Sequence, residues 1–257
     1  KANDGKYQLG VINADETSLM ITVGPADNAG FAGTEAGVIY LGKYYYDGDN
    51  GTDGDELFVS DVTAEGTSML KDINVGGDSD PEQFTEYNGE LYFFAEVATG
   101  MQLWKTDGTA DCTIMVAESN VGGDGLMDNL TLYKDKLYFS ATDGTNGIEL
   151  WMYDGDTTMM VKDVDGAATD SKPSGLIEAD GLLFFVATDA NGKKLWVTDG
   201  SEGGTFPVDS LFIDTEVPLD VDNDEYVVNG SKLYFTGDDA NGDEIFMVDA
   251  KSVKAAM

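Results

Sequence analysis

The sequence predicts an all-β chain: a five-bladed β-propeller of four-stranded antiparallel blades. A pattern that recurs five times, the period of that pattern, and the lack of any stretch with helical periodicity and capping signals carry the prediction. Each repeat has a Leu-Tyr-Phe-like triplet, a turn rich in Gly, Asp and Asn, and a Leu-Trp-like pair that ends in Asp. The aromatic anchors Phe58, Trp104, Trp151, Trp196 and Phe246 are spaced 46, 47, 45 and 50 residues apart. Such a period fits one four-stranded blade.

Each unit divides into four short strands. In the second unit these are Gln83 to Tyr87, Glu90 to Glu96, Met101 to Thr106 and Thr113 to Glu118, with Asn88-Gly89 as a hairpin turn and Asp107-Gly108 as the next. The run Leu91-Tyr92-Phe93-Phe94-Ala95 is almost continuously apolar, as a strand buried on both faces requires. Thr17 to Ile21 aligns with the outer strand Thr67 to Lys71, while Tyr226 to Asp249 supplies only three strands. The expected architecture therefore closes its ring by pairing the N-terminal outer strand with the C-terminal blade, which removes an exposed edge. Residues 1–16 become an extension, 17–250 the propeller and 251–257 a tail. The chain opens on Lys1 instead of Met, which is expected of a processed precursor or a trimmed chain.

Composition narrows the chemistry. The 14 basic residues among 257 are all lysine and there is no histidine, so Ser-His-Asp catalysis, imidazole metal sites and the bidentate arginine fork are excluded. A formal charge of -35 repels nucleic acid and anionic membranes and favours cations as partners. No apolar run approaches the roughly 20 residues of a spanning helix, so membrane insertion is not expected. Cys112 stands alone, so no intrachain disulfide forms.

The acidic loops are the strongest functional lead. Asp47, Asp49, Asp53, Asp55 and Glu56 place five carboxylates in ten residues, at a spacing that lets a curled loop converge oxygens on Ca2+; a solvated turn is the competing reading. Asp163, Asp165 and Asp170, then Asp220, Asp222 and Asp224, then Asp238, Asp239 and Asp243 form weaker candidate sets. The Asp of each Asp-Gly-Thr is expected to organise a tight turn, and Trp104, Trp151 and Trp196 to form inter-blade core. Glu86, Leu132, Glu178 and Val227 align on the innermost strands, so no equivalent carboxylates repeat there as a glycosidase would need. In the extension, Tyr7, Leu9 and Val11 belong to a segment with strand character, which either caps its own ring or adds to a neighbouring subunit.

Leu103 to Thr109, Glu149 to Gly155 and Leu195 to Gly200, together with Asn88 to Phe93 and Asn229 to Phe235, resemble the ELWxxDGT repeat family. Phe58 and Phe246 depart from its Trp, and Asp61-Val62 and Asp249-Ala250 lack its Gly. The resemblance implies secreted or surface-attached bacterial proteins, generally without an assigned activity. The fivefold count is also similar to tachylectin-type propellers. The expectation is an extracellular or cell-surface structural or adhesion module, not an enzyme, self-associating with calcium support. A carbohydrate-binding propeller that recognises surface glycans is the alternative, and an exo-glycosidase a third reading.

Overall fold

The computed structural model describes residues 10–12, 18–20, 30–31, 37–63, 65–117, 120, 123–208, 226–239 and 242–257. They form two compact units, the first carrying residues 1–118 and 122–124, the second the remainder.

The first unit opens with a hairpin of β1 (Gly10–Ile12) and β2 (Ser18–Met20). Its first large sheet contains β3 (Gly30–Phe31), β4 (Val38–Tyr40), β5 (Lys43–Asp49), β6 (Asp55–Ser60) and β7 (Thr67–Lys71), with β3 and β4 both paired to β5. The second contains β8 (Glu82–Tyr87), β9 (Glu90–Val97), β10 (Gly100–Thr106) and β11 (Ile114–Ala117) in sequential order. These are the four strands read from the sequence, and the turn between the first two has Asn88 and Gly89 at φ 52° and 78°, the left-handed pair a type I′ hairpin needs.

The second unit holds two four-stranded sheets and a three-stranded one. The third sheet comprises β12 (Asp128–Tyr133), β13 (Lys136–Thr142), β14 (Ile148–Tyr153) and β15 (Thr158–Lys162). The fourth comprises β16 (Ser174–Ala179), β17 (Leu182–Asp189), β18 (Gly192–Thr198) and β19 (Thr205–Pro207). The fifth has β20 (Tyr226–Asn229), β21 (Lys232–Asp239) and β22 (Gly242–Asp249), followed by helix α1 (Ala250–Ala256).

Within each unit, neighbouring sheets pack face to face through the near-continuous apolar strands. Leu57 of the first sheet and Ile73 of the loop after β7 cluster with Phe93, Ala95 and Trp104 of the second sheet. Tyr138 and Leu150 cluster with Leu183, Phe185 and Trp196 across the third and fourth. The tryptophans are thus core residues, as expected, and each of Trp104, Trp151 and Trp196 buries an indole N–H that has no hydrogen-bond partner. A tyrosine ending the first strand of a sheet fastens it to the next: Tyr40 Oη donates to the carbonyl of Gly89 at 2.7 Å, and Tyr133 Oη to that of Gly181 at 2.8 Å.

The Asp-Gly-Thr turns have the structural role expected of them. Asp107 Oδ1 accepts the backbone N–H and the hydroxyl of Thr109 at 2.9 and 2.7 Å, and Asp61 and Asp199 repeat the arrangement with Thr63 and Ser201. Beneath each turn two buried hydroxyls pair: Ser60 with Thr67, Thr106 with Thr113, and Thr198 with Thr205.

Three expectations need correction. The segment Ser18–Met20 pairs with Gly10–Ile12 and not with the C-terminal sheet, which keeps three strands among the described residues. Among the described residues, the partner of that segment is the extension, and no pairing with the C-terminal sheet is present. Within the segment of Tyr7, Leu9 and Val11, only Val11 falls among the described residues, in β1. Second, the C-terminal tail is a helix. Asp249 is its N-cap, accepting Lys251 N–H at 3.1 Å, which accounts for the missing Gly of that Asp-Gly. Ala250 and Val253 are buried against Leu233, Phe235 and Val248. Val253→Asp is accordingly expected to destabilise the protein by about 3 kcal/mol or more, because it sets an unpaired charge in that core; the midpoint of urea denaturation measures it. Third, pairing of Glu86 with Leu91, Leu132 with Leu137, Glu178 with Leu183 and Val228 with Leu233 makes Val228, not Val227, the fourth member of the innermost-strand set.

Candidate divalent-cation site

The hairpin β5–β6 pairs Asp47 with Leu57, Gly48 with Glu56 and Asp49 with Asp55. Gly48 is required there, since a Cβ would lie 2.8 Å from the Phe58 ring. The loop that follows β7 is drawn onto the end of the hairpin by backbone hydrogen bonds. Asp55 N–H donates to Asp78 Oδ1 at 3.1 Å, and the carbonyl of Asp55 accepts the N–H groups of Ser79 and Asp80 at 2.7 and 3.3 Å. Asp80 sits at φ 42°, in the left-handed region that Asp tolerates better than bulkier residues.

The result is a convergence of Asp47, Asp55 and Asp80, each offering a carboxylate oxygen within 4.8 Å of the others. Two oxygens bound to one Ca2+ at roughly 2.4 Å each lie no more than roughly 4.8 Å apart, so the separations in this set are compatible with one shared ion. Asp47 forms the buried floor, Asp55 is half-buried and Asp80 is exposed. Asp47 Oδ1 is shut off from solvent and has no hydrogen-bond partner. Burial, and then the negative charges of Asp55, Asp80, Asp78 and Glu56, push the Asp47 carboxyl up from 3.8 to about 8. Asp80 is raised as well, by burial and by Asp78. Every charge that acts on Asp47 is a carboxylate, so the site lacks the cation that would make burial of that group favourable.

The structure revises the ligand set read from the sequence. Asp47 and Asp55 meet, but Asp49 and Asp53 serve the turn: Asp49 Oδ1 accepts Gly51 N–H, and Asp53 Oδ2 accepts the Asn50 amide at 2.7 Å. Glu56 points away as a buried strut that accepts Ile73 N–H at 2.7 Å, Asn74 N–H at 3.3 Å and Ser79 Oγ at 2.7 Å. Burial raises its carboxyl against the lowering effect of those bonds. Asp80 lies well beyond the dense loop along the chain, and the sequence alone does not mark it as a ligand.

Internal repetition distinguishes this site from ordinary loop chemistry. The register makes Asp47 equivalent to Phe94 and Ser140, each following the aromatic residue opposite Phe58, Trp104 or Trp151. Asp55 corresponds to Met101 and Ile148, whose N–H groups donate in the same way to Asp124 and Asp170 at 3.0 and 3.1 Å. Asp80 corresponds to Leu126 and Lys172, at φ 46° and 48°. The second and third sheets build the same backbone frame from Phe, Met and Leu or from Ser, Ile and Lys. The frame therefore does not require three aspartates.

The remaining candidates fare differently. Asp163 and Asp165 approach Glu149, but all three are committed to local bonds: Glu149 accepts Val164 N–H and Ser171 Oγ at 2.7 Å each, Asp163 accepts Gly166 N–H, and Asp165 accepts Ala167 N–H and the Thr169 hydroxyl. Burial pushes the Glu149 carboxyl up to about 7. Asp170 stands apart, accepting Ile148 N–H and lying 3.7 Å from Lys172. Asp238 and Asp243 are backbone partners where β21 meets β22, with Asp239 beside them, while Asp220, Asp222 and Asp224 lie outside the described residues.

No protein-family model and no curated protein matches the chain. Solved structures do. TolB from Acinetobacter baumannii aligns with 96% of this chain and 58% of its own at 10% identity, TM-score 0.51. A puromycin-hydrolyzing peptidase of Mycobacterium tuberculosis aligns with 96% of this chain and 41% of its own at 13% identity, TM-score 0.57. The β-propeller domain of the Trilobed protease from Pyrococcus furiosus, which has an open velcro topology, aligns with 97% of this chain and 75% of its own at 12% identity, TM-score 0.50. At these identities the likeness establishes the fold: four-stranded antiparallel sheets of β-propeller type. The chain spans 58% of TolB and 41% of the puromycin-hydrolyzing peptidase. The expectation of a purely structural, self-assembling adhesion module is overturned by these neighbours, which are TolB and peptidases.

Proposed function

We propose that the chain is a Ca2+-binding domain of propeller type, with its five sheets as blades and the ion held by Asp47, Asp55 and Asp80. The observation that carries the reading is the Asp47 carboxylate, which has a buried, unpartnered Oδ1 and converges with two further carboxylates. A bound divalent ion supplies the missing counter-charge and ties the β5–β6 hairpin to the loop entering β8. All-oxygen, all-carboxylate ligation suits a hard cation, with water completing the coordination on the exposed Asp80 side.

Thermal denaturation with Ca2+ and with EDTA tests the proposal. Saturation at about 100 times Kd is worth about 2.7 kcal/mol, a rise in Tm of roughly 5–10 °C for a chain of this size. Asp47→Asn is expected to abolish the rise, whereas Asp49→Asn and Asp53→Asn leave it in place. An unchanged wild-type Tm, or loss of the effect in the Asp49 and Asp53 variants, rules the site out.

A further inference from the structure

The position that holds three aspartates in the first sheet changes sign in the second unit. There the third and fourth sheets frame a cavity of about 380 Å3 whose walls include Ile148, Val186, Ser140, Lys172 and Lys193. By register, Lys172 is the counterpart of Asp80, and Lys193, opposite Thr188, occupies in its sheet the place of Asp55, opposite Asp49. Two of the chain's 14 cationic side chains therefore meet at one cavity in a protein of net charge -35.

From this we infer that the cavity is a binding site for small organic carboxylates that carry an aliphatic body, including the C-terminus of a short peptide. Lys193 makes no ion pair among the described residues, and Lys172 has only a loose one, 3.7 Å from the exposed Asp170, so both ammonium groups can turn to a ligand. The one acidic residue of the wall, Asp128, is exposed and accepts its neighbour's Asn129 N–H at 2.7 Å. Ile148 offers an apolar wall for the ligand's body, while the Ser140 hydroxyl is already engaged with the Asp128 carbonyl at 3.2 Å, which leaves the two ammonium groups as the donors. In this acidic protein the field elsewhere repels anions, so attraction confined to the two lysines gives selectivity as well as affinity.

Titration calorimetry on the whole chain tests the inference with three probes: 4-methylpentanoate, N-acetyl-alanyl-leucine with a free carboxylate, and the amide of that peptide. Both acids are expected to bind and the amide at least about tenfold more weakly, since charge-assisted hydrogen bonds are lost. Lys193→Gln and Lys172→Gln should each weaken acid binding about fivefold or more, with melting curves unchanged, as both side chains reach solvent. Asp47→Asn should leave it intact, which separates this site from the cation site. Equal binding of acid and amide, no binding of either acid, or unchanged affinity in both lysine variants overturns the proposal.

Discussion

Glu149→Ala is expected to lower the unfolding free energy by about 3–5 kcal/mol, among the largest single-residue effects in the molecule. The Glu149 side chain is fully buried and accepts Val164 N–H, Ser171 N–H and Ser171 Oγ. Truncation strands three donors beneath the loop that links the third and fourth sheets. Each buried donor left without a partner costs roughly 1–3 kcal/mol, reduced where water enters the space. Glu149→Gln should lose far less, because Val164 N–H and Ser171 Oγ both bond to one carboxylate oxygen, a place the amide oxygen of Gln can fill. The urea midpoints of the two variants check the ordering. Near-equal losses would show that side-chain volume, not acceptor capacity, holds the loop.

The cation-free protein is expected to lose stability as the pH rises from about 4 to about 8. Asp47 is raised from 3.8 to about 8 and Glu149 from 4.5 to about 7, both chiefly by burial. A carboxyl raised in the folded state retains a proton that the unfolded chain releases. Its contribution is complete below the unfolded value and disappears as the pH climbs through the folded one. Every tenfold gain in proton affinity on folding is worth about 1.4 kcal/mol, so Asp47 alone contributes on the order of a few kcal/mol once solvent screening at the mouth of the site is allowed for. Asp61, Asp107, Asp154 and Asp249 act oppositely: turn or cap hydrogen bonds hold them below the usual range, so their contribution fades only as the pH falls below about 4. In Asp47→Asn the decline towards pH 8 should be shallower, and at that pH the cation-free variant should exceed the cation-free wild type by about 2–4 kcal/mol. Denaturant melts in EDTA across the pH range measure both. A wild type no steeper than the variant would place the Asp47 carboxylate in solvent.

The repeating frame was legible because it is written in local signals: aromatic anchors at fixed spacing, Asn-Gly turns, and Asp followed by a hydroxyl residue. The acidic site was half legible. Asp47 and Asp55 stand in one dense loop, but that density also drew in Asp49 and Asp53, which cap the turn, and Glu56, which the alternation of β6 sends to the opposite side. Asp80 was hidden by distance along the chain, since only the hydrogen bonds of Asp55 to Asp78, Ser79 and Asp80 deliver it. The C-terminal helix spans seven residues, too few to show a period. Alignment of Thr17 to Ile21 with an outer strand identifies a strand but not its partner, which among the described residues is Gly10–Ile12.

The backbone bonds that seat residues 80 and 172 involve no side chain of those residues, and residue 126 shares their left-handed conformation, so each can change identity without loosening the sheet beneath it. Duplication of such a unit separates inheritance of shape from inheritance of chemistry. One rim position is an aspartate in the first sheet, a half-exposed leucine after the second and a lysine after the third, so the chemistry of the rim can diversify copy by copy while the frame stays the same.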